Sequence, residues 1–206
     1  MHKIISRSLF VFVMVANLSY GQTGLDVMKE QDRRHRSDQE FTEYTMTLLD
    51  SRGKEKQRRM VSYSKNIEHG QSKSLIKFLE PTNISNVGLL TWSDSEQESD
   101  NQWLYLPASK KIKRITGGGK ASSFMSTDFA FEDMRPENLD THTYTIIREE
   151  EIEGQLCWVI EALPSTSKEK RDSGYSKRQL WVGHDHYLTI KTDFYDRRKK
   201  LSKKGV

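Results

Sequence analysis

Cysteine is nearly absent from this sequence, since Cys157 is the only one among 206 residues. One thiol cannot form an intramolecular disulfide, so disulfide-stabilised scaffolds are excluded and the fold must rely on a packed core. Cys157 lies in the apolar stretch LCWVI, where we expect a buried structural thiol rather than a nucleophile.

Long hydrophobic runs are absent as well. The apolar stretch LFVFVMVANL has about ten residues, whereas a transmembrane helix needs about 20. It follows the basic stretch MHKIISRS and precedes the small residues Ser19 and Gly21, an order that is typical of secretory signal peptides. We therefore predict that residues 1–21 are a cleaved signal peptide of an exported protein and that residues 22–206 form a single domain.

Neither sign of charge dominates the chain. Lysine and arginine together number 33 against 29 acidic residues, and removing Lys3 and Arg7 with the signal peptide lowers the formal net charge from +4 to +2. Domains that bind nucleic acid usually have a strongly basic surface, so nucleic acid is not expected as a partner. Local basic runs such as KKIKR and DRRKKLSKK are typical of solvated strand ends and turns, with a membrane headgroup surface as the alternative.

Familiar catalytic motifs are also missing. A Walker phosphate loop requires a glycine five residues before the glycine of its Gly-Lys pair and a Ser or Thr directly after the lysine. Around Lys120, those two positions are occupied by Arg114 and Ala121. No G-x-S-x-G nucleophile motif occurs. His184 and His186 form an H-x-H pair of the kind that binds zinc, yet the stretch GHDHY is equally typical of a hairpin turn. We therefore predict no catalytic residues, no metal and no cofactor.

The sequence does contain one clear helix signal and many strand signals. In TGLDVMKEQDRRHRSD, Thr23 stands three residues before Asp26, the spacing of a capping box, and predicts a short amphipathic helix. Apolar and polar residues then alternate in about ten stretches with short turns between them. This pattern predicts a mainly β fold with helices (α+β), formed by a curved antiparallel meander. No period of 20 to 50 residues recurs, so solenoids and propellers are excluded.

Aromatic residues lie within these strands and indicate an apolar surface on both sides of the sheet. In QWLYLP, Trp103 and Tyr105 share one face while Leu104 and Leu106 share the other. One face is expected to form the core and the other to line a cavity for an apolar guest, although rings that simply fill a core are the alternative.

The stretch GGGKASSFMSTDFAFEDM joins a glycine run to aromatic residues that favour burial. Gly117, Gly118 and Gly119 are predicted to form a hinge, because glycine permits backbone angles that are closed to other residues. Ser126 or Thr127 is predicted to cap a short helical turn. The phenylalanine and methionine side chains that follow the hinge favour the lip of an apolar cavity.

Several of these motifs together resemble a known family. The stretches YLPASKKIKRI, FMSTDFAFEDM, CWVIEALP and LWVGHDHYLTIKTDFYD are similar to the exported LolA-like family of outer-membrane lipoprotein-sorting proteins. The resemblance runs from about Gly24 to about Leu201. In that family the FYD strand typically turns through a glycine into its partner, whereas Arg197, Arg198 and Lys199 stand here. The comparison therefore predicts a chain that is shortened at its C-terminus and lacks the last strands.

The resemblance implies an open half-barrel covered by short helices around an apolar cavity, in the bacterial periplasm. It implies that acyl chains of lipids or lipoproteins are the cargo, with transient membrane contact during transfer and an inner-membrane transporter as a further partner. Candidate cargo-binding residues are the aromatic and large apolar side chains of the strands and of the glycine-led stretch. They are Tyr44, Met46, Leu48, Phe78, Trp92, Trp103, Tyr105, Phe124, Met125, Phe129, Phe131 and Trp158.

Three functions follow from these observations. The first is a non-enzymatic periplasmic carrier or chaperone for acyl chains. The second is an accessory protein of an inner-membrane efflux-type transporter, which has a filled interior and no cargo of its own. The third is a metal-dependent hydrolase, which requires His184, His186 and nearby acids to converge in one cleft.

Overall fold

The computed structural model describes residues 21–49, 52–67, 71–94 and 100–205. The chain begins with helix α1, Gly24–His35. The hydroxyl oxygen of Thr23 accepts a hydrogen bond from the Asp26 backbone N–H at 3.2 Å, and the Asp26 carboxylate accepts one from the Thr23 N–H at 3.0 Å. This is the predicted capping box, which satisfies two backbone donors at the start of the helix.

The first half of the chain forms a six-stranded antiparallel sheet in which consecutive strands are neighbours. This arrangement confirms the antiparallel meander that the alternation of apolar and polar residues predicts. The strands are β1 Gln39–Leu49, β2 Glu55–Ile67, β3 Gln71–Glu80, β4 Gly88–Asp94, β5 Asn101–Leu106 and β6 Lys111–Ile115.

The second half forms a separate five-stranded antiparallel sheet, again with consecutive strands paired. Its strands are β7 His142–Ile152, β8 Gln155–Pro164, β9 Tyr175–Gly183, β10 Thr189–Asp196 and β11 Leu201–Gly205. A short helix, α2 Ser167–Asp172, lies between β8 and β9 and was not predicted, because a helix this short has no room for periodicity. The fold is therefore mainly β, with two sheets that do not close into a barrel over the residues described.

The hairpin of β10 and β11 corrects the expectation that the FYD strand lacks a partner. Strand β11 pairs with β10 from Thr192 to Tyr195. In the connecting turn, the Asp196 carboxylate accepts hydrogen bonds from the backbone N–H groups of Arg198 at 2.8 Å and Lys200 at 2.9 Å, while Lys199 adopts a φ of 62°. These bonds hold Lys199 in the left-handed region that favours glycine, so this turn forms without one.

Helix α1 packs on the five-stranded sheet and forms the core there. Val27 and Met28 are buried against Tyr144, Ile160 and Leu180. The C-terminal end of α1 also reaches the turn between β9 and β10, where Arg34 donates to the Asp185 carbonyl at 3.2 Å. The stretch GHDHY is therefore a hairpin turn against the helix.

Candidate functional site

The six-stranded sheet has one buried face, which we call the inner face. The cross-strand register places Met60 opposite Phe78 and Ile76 opposite Leu89, and Leu89 is opposite Leu104 in turn. All five side chains are less than a tenth exposed. Because side chains alternate between the two sides of a strand, these residues line a continuous apolar surface.

No α-helix covers this inner face in the described part of the chain. The stretch Ser122–Met134, which we call the cover segment, lies over it instead and ends in a short 3-10 helix, Phe131–Met134. The rings of Phe124 and Phe131 are buried on the sheet, with Phe124 centred 5.7 Å from Phe78 and 5.5 Å from Phe131. Burial of each phenylalanine contributes about 1.5–3 kcal/mol, so these two rings provide much of the apolar attachment.

The cover segment is a small hairpin rather than the predicted capped helical turn. The N–H of Phe124 donates to the Phe129 carbonyl at 2.7 Å, and the N–H of Phe131 donates to the Ser122 carbonyl at 3.1 Å. The Thr127 hydroxyl donates to the Phe124 carbonyl at 2.7 Å and thereby closes the loop. The prediction that Ser126 or Thr127 begins a helix is wrong, because Met125 and Ser126 both adopt a positive φ that interrupts it.

Two side chains of the sheet attach the cover segment through its backbone. The Arg58 guanidinium donates to the Met125 carbonyl at 2.7 Å, and partial burial lowers the pKa of Arg58 from its ordinary value. The fully buried Gln102 side chain donates to the Phe131 carbonyl at 2.9 Å. Both bonds end on backbone oxygens, so they fix the position of the segment without depending on its side chains.

Acidic side chains tie the other end of the cover segment to the five-stranded sheet. The buried Glu132 carboxylate accepts hydrogen bonds from the Ser173 hydroxyl at 2.7 Å and the Gly174 N–H at 2.8 Å, while burial raises the pKa of Glu132. The Asp133 carboxylate accepts from the Tyr175 hydroxyl at 3.1 Å and forms an ion pair with Lys203. The segment therefore spans both sheets.

A small pocket of about 200 Å³ lies beside these acids, between the two sheets. Arg178 donates two hydrogen bonds to Glu137, each 2.7 Å long. Arg135 lies 3.2 Å from Glu169 and 3.7 Å from Asp100. These ion pairs hold the segment that follows the cover segment against α2 and β9, so the charges lining the pocket already have partners within the protein.

The structure brings together only some of the predicted cargo-binding residues. Phe78, Phe124 and Phe131 are buried in the core of the inner face. Tyr44, Met46 and Met125 pack against this core and remain partly exposed. Leu48 is partly buried and lies on the same side of β1 as Tyr44 and Met46.

The remaining predicted residues lie elsewhere, so a single cavity lined by the whole set is not formed. Trp92, Trp103 and Tyr105 lie on the opposite side of the six-stranded sheet, because they alternate with the inward residues Thr91, Gln102 and Leu104. Phe129 faces the pocket between the sheets. Trp158 belongs to the core beneath α1.

Sequence reasoning missed the polar residues that hold the cover segment. Gln102 carried a usable signal, because it lies on the same face of QWLYLP as Leu104 and Leu106. A glutamine that is buried with such a face needs a hydrogen-bond partner. Arg58 and Glu132 carried no comparable signal among so many charged residues.

The glycine run lies directly before the cover segment. Residues Gly117–Ala121 form a 3-10 helix, in which Gly117 has a φ of +47°. Lys120 of this turn is buried, and burial lowers the pKa of its amino group. Whether the three glycines act as a hinge stays a prediction.

The two histidines of the H-x-H pair are engaged in separate structural contacts. His184 stacks on Trp158 with ring centroids 3.7 Å apart, whereas the His186 ring contacts the Gln155 side chain and the Leu188 N–H, each at 3.1 Å. Within the described ranges, no group of three or more His, Cys, Asp or Glu residues is arranged to hold a metal ion. Cys157 is fully buried and behaves as the predicted core thiol.

Comparison with known proteins identifies the family. A DUF1329 family protein from Desulfovibrio piger is 32% identical, with a TM-score of 0.79 over 86% of this chain and 74% of that protein. A proposed outer membrane lipoprotein-sorting protein domain from Vibrio parahaemolyticus is 30% identical, with the same TM-score and the same coverage. The chain belongs to the LolA-like family of outer-membrane lipoprotein-sorting proteins.

Other comparisons add detail to this assignment. A LolA superfamily protein from Nitrosomonas europaea shares the fold with a TM-score of 0.62 at 19% identity, over 87% of this chain and 74% of that one. A family model described as "Uncharacterized protein" matches residues 70–205 of this LolA-like chain. No curated protein matches it. None of the helices in the described ranges has both the length and the apolar character needed to cross a membrane.

Proposed function

We propose that this LolA-like protein is a non-enzymatic periplasmic carrier that binds acyl chains of lipids or lipoproteins on the inner face and transfers them toward the outer membrane. The observation that carries the proposal is the cover segment. Phe124 and Phe131 occupy an apolar sheet face that a larger apolar ligand can occupy when the segment moves away.

The energetics of this exchange favour an acyl chain. A buried CH₂ group contributes about 0.8 kcal/mol, so a chain of about 14 carbons contributes on the order of 10 kcal/mol when it is fully buried. The two phenylalanine rings contribute about 1.5–3 kcal/mol each. Breaking the neutral hydrogen bond from Gln102 costs about 0.5–1.5 kcal/mol, and breaking the charge-assisted bond from Arg58 costs about 1.5–3 kcal/mol. A lipid tail therefore competes favourably with the part of the cover segment from Ser122 to Phe131, while Glu132 and Asp133 keep their bonds to the groups around the five-stranded sheet.

Transfer also requires the hairpin from Ser122 to Phe131 to move as a unit. Its internal hydrogen bonds join Ser122 to Phe131 and Phe124 to Phe129, so the small hairpin keeps its shape when it leaves the sheet. The glycines at 117–119 lie immediately before it, and we propose that they supply the hinge.

A second candidate function is an accessory protein of an inner-membrane transporter that binds no cargo. The observation in its favour is the filled inner face, since the cover segment occupies it with fully buried rings. In this case the segment is a permanent part of the core.

Ligand analysis of the mature protein separates the two functions. Residues 22–206 are purified from a periplasm, examined by native mass spectrometry and extracted for lipid, and then titrated with a fluorescent fatty acid. The carrier predicts a stoichiometric acyl-chain ligand or saturable uptake. A folded protein that carries no lipid and takes up no fatty acid would support the accessory function instead.

A substitution that weakens the attachment of the cover segment to the sheet tests the carrier proposal by mutation. Arg58→Gln removes the bond to the Met125 carbonyl without removing core atoms, so we expect fatty-acid binding to tighten about threefold to tenfold. The control Trp103→Ala changes the opposite face of the same sheet and is expected to leave fatty-acid affinity unchanged. Equal affinity for Arg58→Gln and the wild type would argue that the ligand does not displace this segment.

A further inference from the structure

The side of the six-stranded sheet opposite the cover segment, which we call the outer face, carries an uninterrupted apolar row. The register aligns one residue from each strand across the whole sheet. In order from β1 to β6 these residues are Phe41, Tyr63, Leu75, Leu90, Trp103 and Arg114. All but the last are apolar or aromatic, so the row crosses five strands before it ends at a positive charge.

This row is open to solvent over the described ranges of the chain. Phe41 is 60% exposed and Tyr63 48%, and their rings lie 5.1 Å apart. Leu75 and Leu90 are each more than a third exposed. Trp92, Tyr105 and Ile112 widen the patch, since they lie on the same side in the neighbouring rows. A contiguous exposed apolar patch of this kind marks an interaction surface.

Basic side chains surround the apolar row. Lys65 and Lys73 are paired across β2 and β3 in the next row, and Lys77 lies on the other side of the apolar row. The Lys73 amino group lies 3.9 Å from the centre of the Trp92 ring. Arg114 closes the row at β6.

Acidic groups on this face are largely engaged by other side chains. Glu43 and Glu80 both bind Arg59, at 2.6 and 2.7 Å. Asp94 accepts a hydrogen bond from Gln71 at 3.3 Å. Within the described ranges, no carboxylate forms an ion pair with Lys65, Lys73 or Lys77, so these three basic side chains lie around the aromatic centre without an acidic partner.

We infer that the outer face docks on a bilayer surface that contains anionic phospholipids. Tryptophan and tyrosine rings favour the boundary between headgroups and acyl chains. Lysine side chains lay their apolar stems along such a surface and place their charges among the headgroups, where each contributes about 1 kcal/mol with anionic lipids. The ring of Trp92 beneath Lys73 combines both features at one position.

A second copy of the chain fits this surface less well. Two outer faces related by a two-fold axis bring the same patch against itself, and this brings the basic groups of one copy toward those of the other. Like charges that face each other in this way oppose association. An anionic bilayer instead neutralises all of them at once.

Vesicle binding by the mature protein tests the inference. The protein is sedimented with vesicles of phosphatidylcholine alone and with vesicles that contain about 30% phosphatidylglycerol, at low and high salt. We expect binding to the anionic vesicles only, weakened by salt. The test uses intact vesicles rather than free fatty acid, so its failure is distinguishable from failure of the carrier proposal.

Tryptophan quenching locates the contact. Trp92 and Trp103 lie on the outer face, whereas Trp158 and Trp181 are buried within the five-stranded sheet. Brominated lipids are therefore expected to quench wild-type fluorescence, and the double variant Trp92→Phe with Trp103→Phe is expected to lose that quenching. Unchanged quenching in the double variant would overturn the proposed orientation.

Matched substitutions test whether vesicle binding depends on the outer face or on nonspecific adsorption of the protein. Leu90→Ser, on the outer face, is compared with Leu163→Ser, which is similarly exposed on the five-stranded sheet. Lys65→Glu combined with Lys73→Glu is compared with Lys200→Glu in the turn after β10. We expect at least a tenfold loss of vesicle binding for the lysine pair, a smaller loss for Leu90→Ser and none for the two controls. Absence of binding to anionic vesicles by the wild type, or equal losses in variants and controls, would overturn the inference.

Discussion

At the scale of single residues, Glu137 holds the segment between β6 and β7 against the five-stranded sheet. Its carboxylate accepts both hydrogen bonds from Arg178 and one from the Tyr144 hydroxyl. Burial alone would raise the pKa of this carboxyl group, but the adjacent Arg178 charge and its hydrogen bonds lower the pKa to about 2 from an ordinary 4.5. The native state therefore binds the Glu137 proton more weakly than the unfolded chain does.

This difference predicts how acid affects the protein. Since the folded pKa is depressed, the stabilisation from Glu137 is present above pH 4.5 and is lost as the pH falls toward 2. We expect Glu137→Gln to lower the free energy of unfolding by about 2 kcal/mol at pH 7, and by much less near pH 3. Urea unfolding at the two pH values measures both quantities.

The control for this substitution is Glu150→Gln. Glu150 binds Arg148 at 2.9 Å, but both side chains are more than a third exposed. An exposed pair of this kind contributes little, so its loss should change stability by about 0.5 kcal/mol or less. If Glu137→Gln were no more harmful than Glu150→Gln, or if its effect did not vary with pH, the role assigned to Glu137 would be wrong.

At the scale of elements, helix α1 lies unusually close to strand β7. The backbone of Gly24 approaches Tyr144 so closely that an added Cβ atom would stand 2.7 Å from the Tyr144 carbonyl carbon and oxygen. Both atoms belong to the backbone of a paired strand and have little freedom to move. A glycine is therefore required where the helix begins.

We predict that Gly24→Ala displaces the start of α1 from the sheet and lowers the free energy of unfolding by about 1–3 kcal/mol. The control is Gly118→Ala, because a Cβ atom there meets nothing within 4 Å. Thermal unfolding followed by circular dichroism compares the two variants. Similar melting temperatures for both would contradict the tight packing of α1 on β7.

At the scale of the whole molecule, the cover segment is the element that connects the two sheets. Phe124 and Phe131 bury against the six-stranded sheet. Asp133 binds Tyr175 of the five-stranded sheet, and Glu132 binds Ser173 directly before that strand. Lys203 of β11 takes part directly, with an ion pair to Asp133 and a bond of 3.1 Å to the Asp128 carbonyl. The last strand of the chain thus helps to hold a segment that covers the first sheet.

This connection predicts that a change in β11 alters motion of the cover segment. Lys203→Ala removes a partly buried charge-assisted bond, so we expect the amides of Phe124 and Phe131 to exchange with solvent about tenfold faster. Lys204→Ala, at the adjacent position, serves as the control, because alternate residues of a strand point to opposite sides. If the amide exchange rates were unchanged in both variants, the cover segment would be held by the six-stranded sheet alone.

Much of the secondary structure was predictable, whereas the site was predictable only in part. Thr23 and Asp26 marked the start of α1 because a capping box is a local interaction. Strand alternation likewise assigned the residues of QWLYLP to two opposite faces, but it did not indicate which face is buried. The turn at Lys199 was mispredicted because hydrogen bonds donated by the backbone to the Asp196 carboxylate hold the conformation that usually requires a glycine.

The sequence by itself determined the antiparallel strands, the capped helix and the motifs shared with LolA-like proteins, since each depends on residues that are close along the chain. The signal peptide stays a prediction, because residues 1–20 lie outside the described residues. Only the tertiary structure decided that Phe124 and Phe131 cover the inner face while Trp92 and Trp103 lie outside. It also decided that Glu137 meets Arg178 and that Asp133 meets Lys203, residues that are 41 and 70 positions apart in sequence. The physical reason is that sidedness and ion pairing depend on contacts between residues far apart in sequence, which local periodicity does not contain.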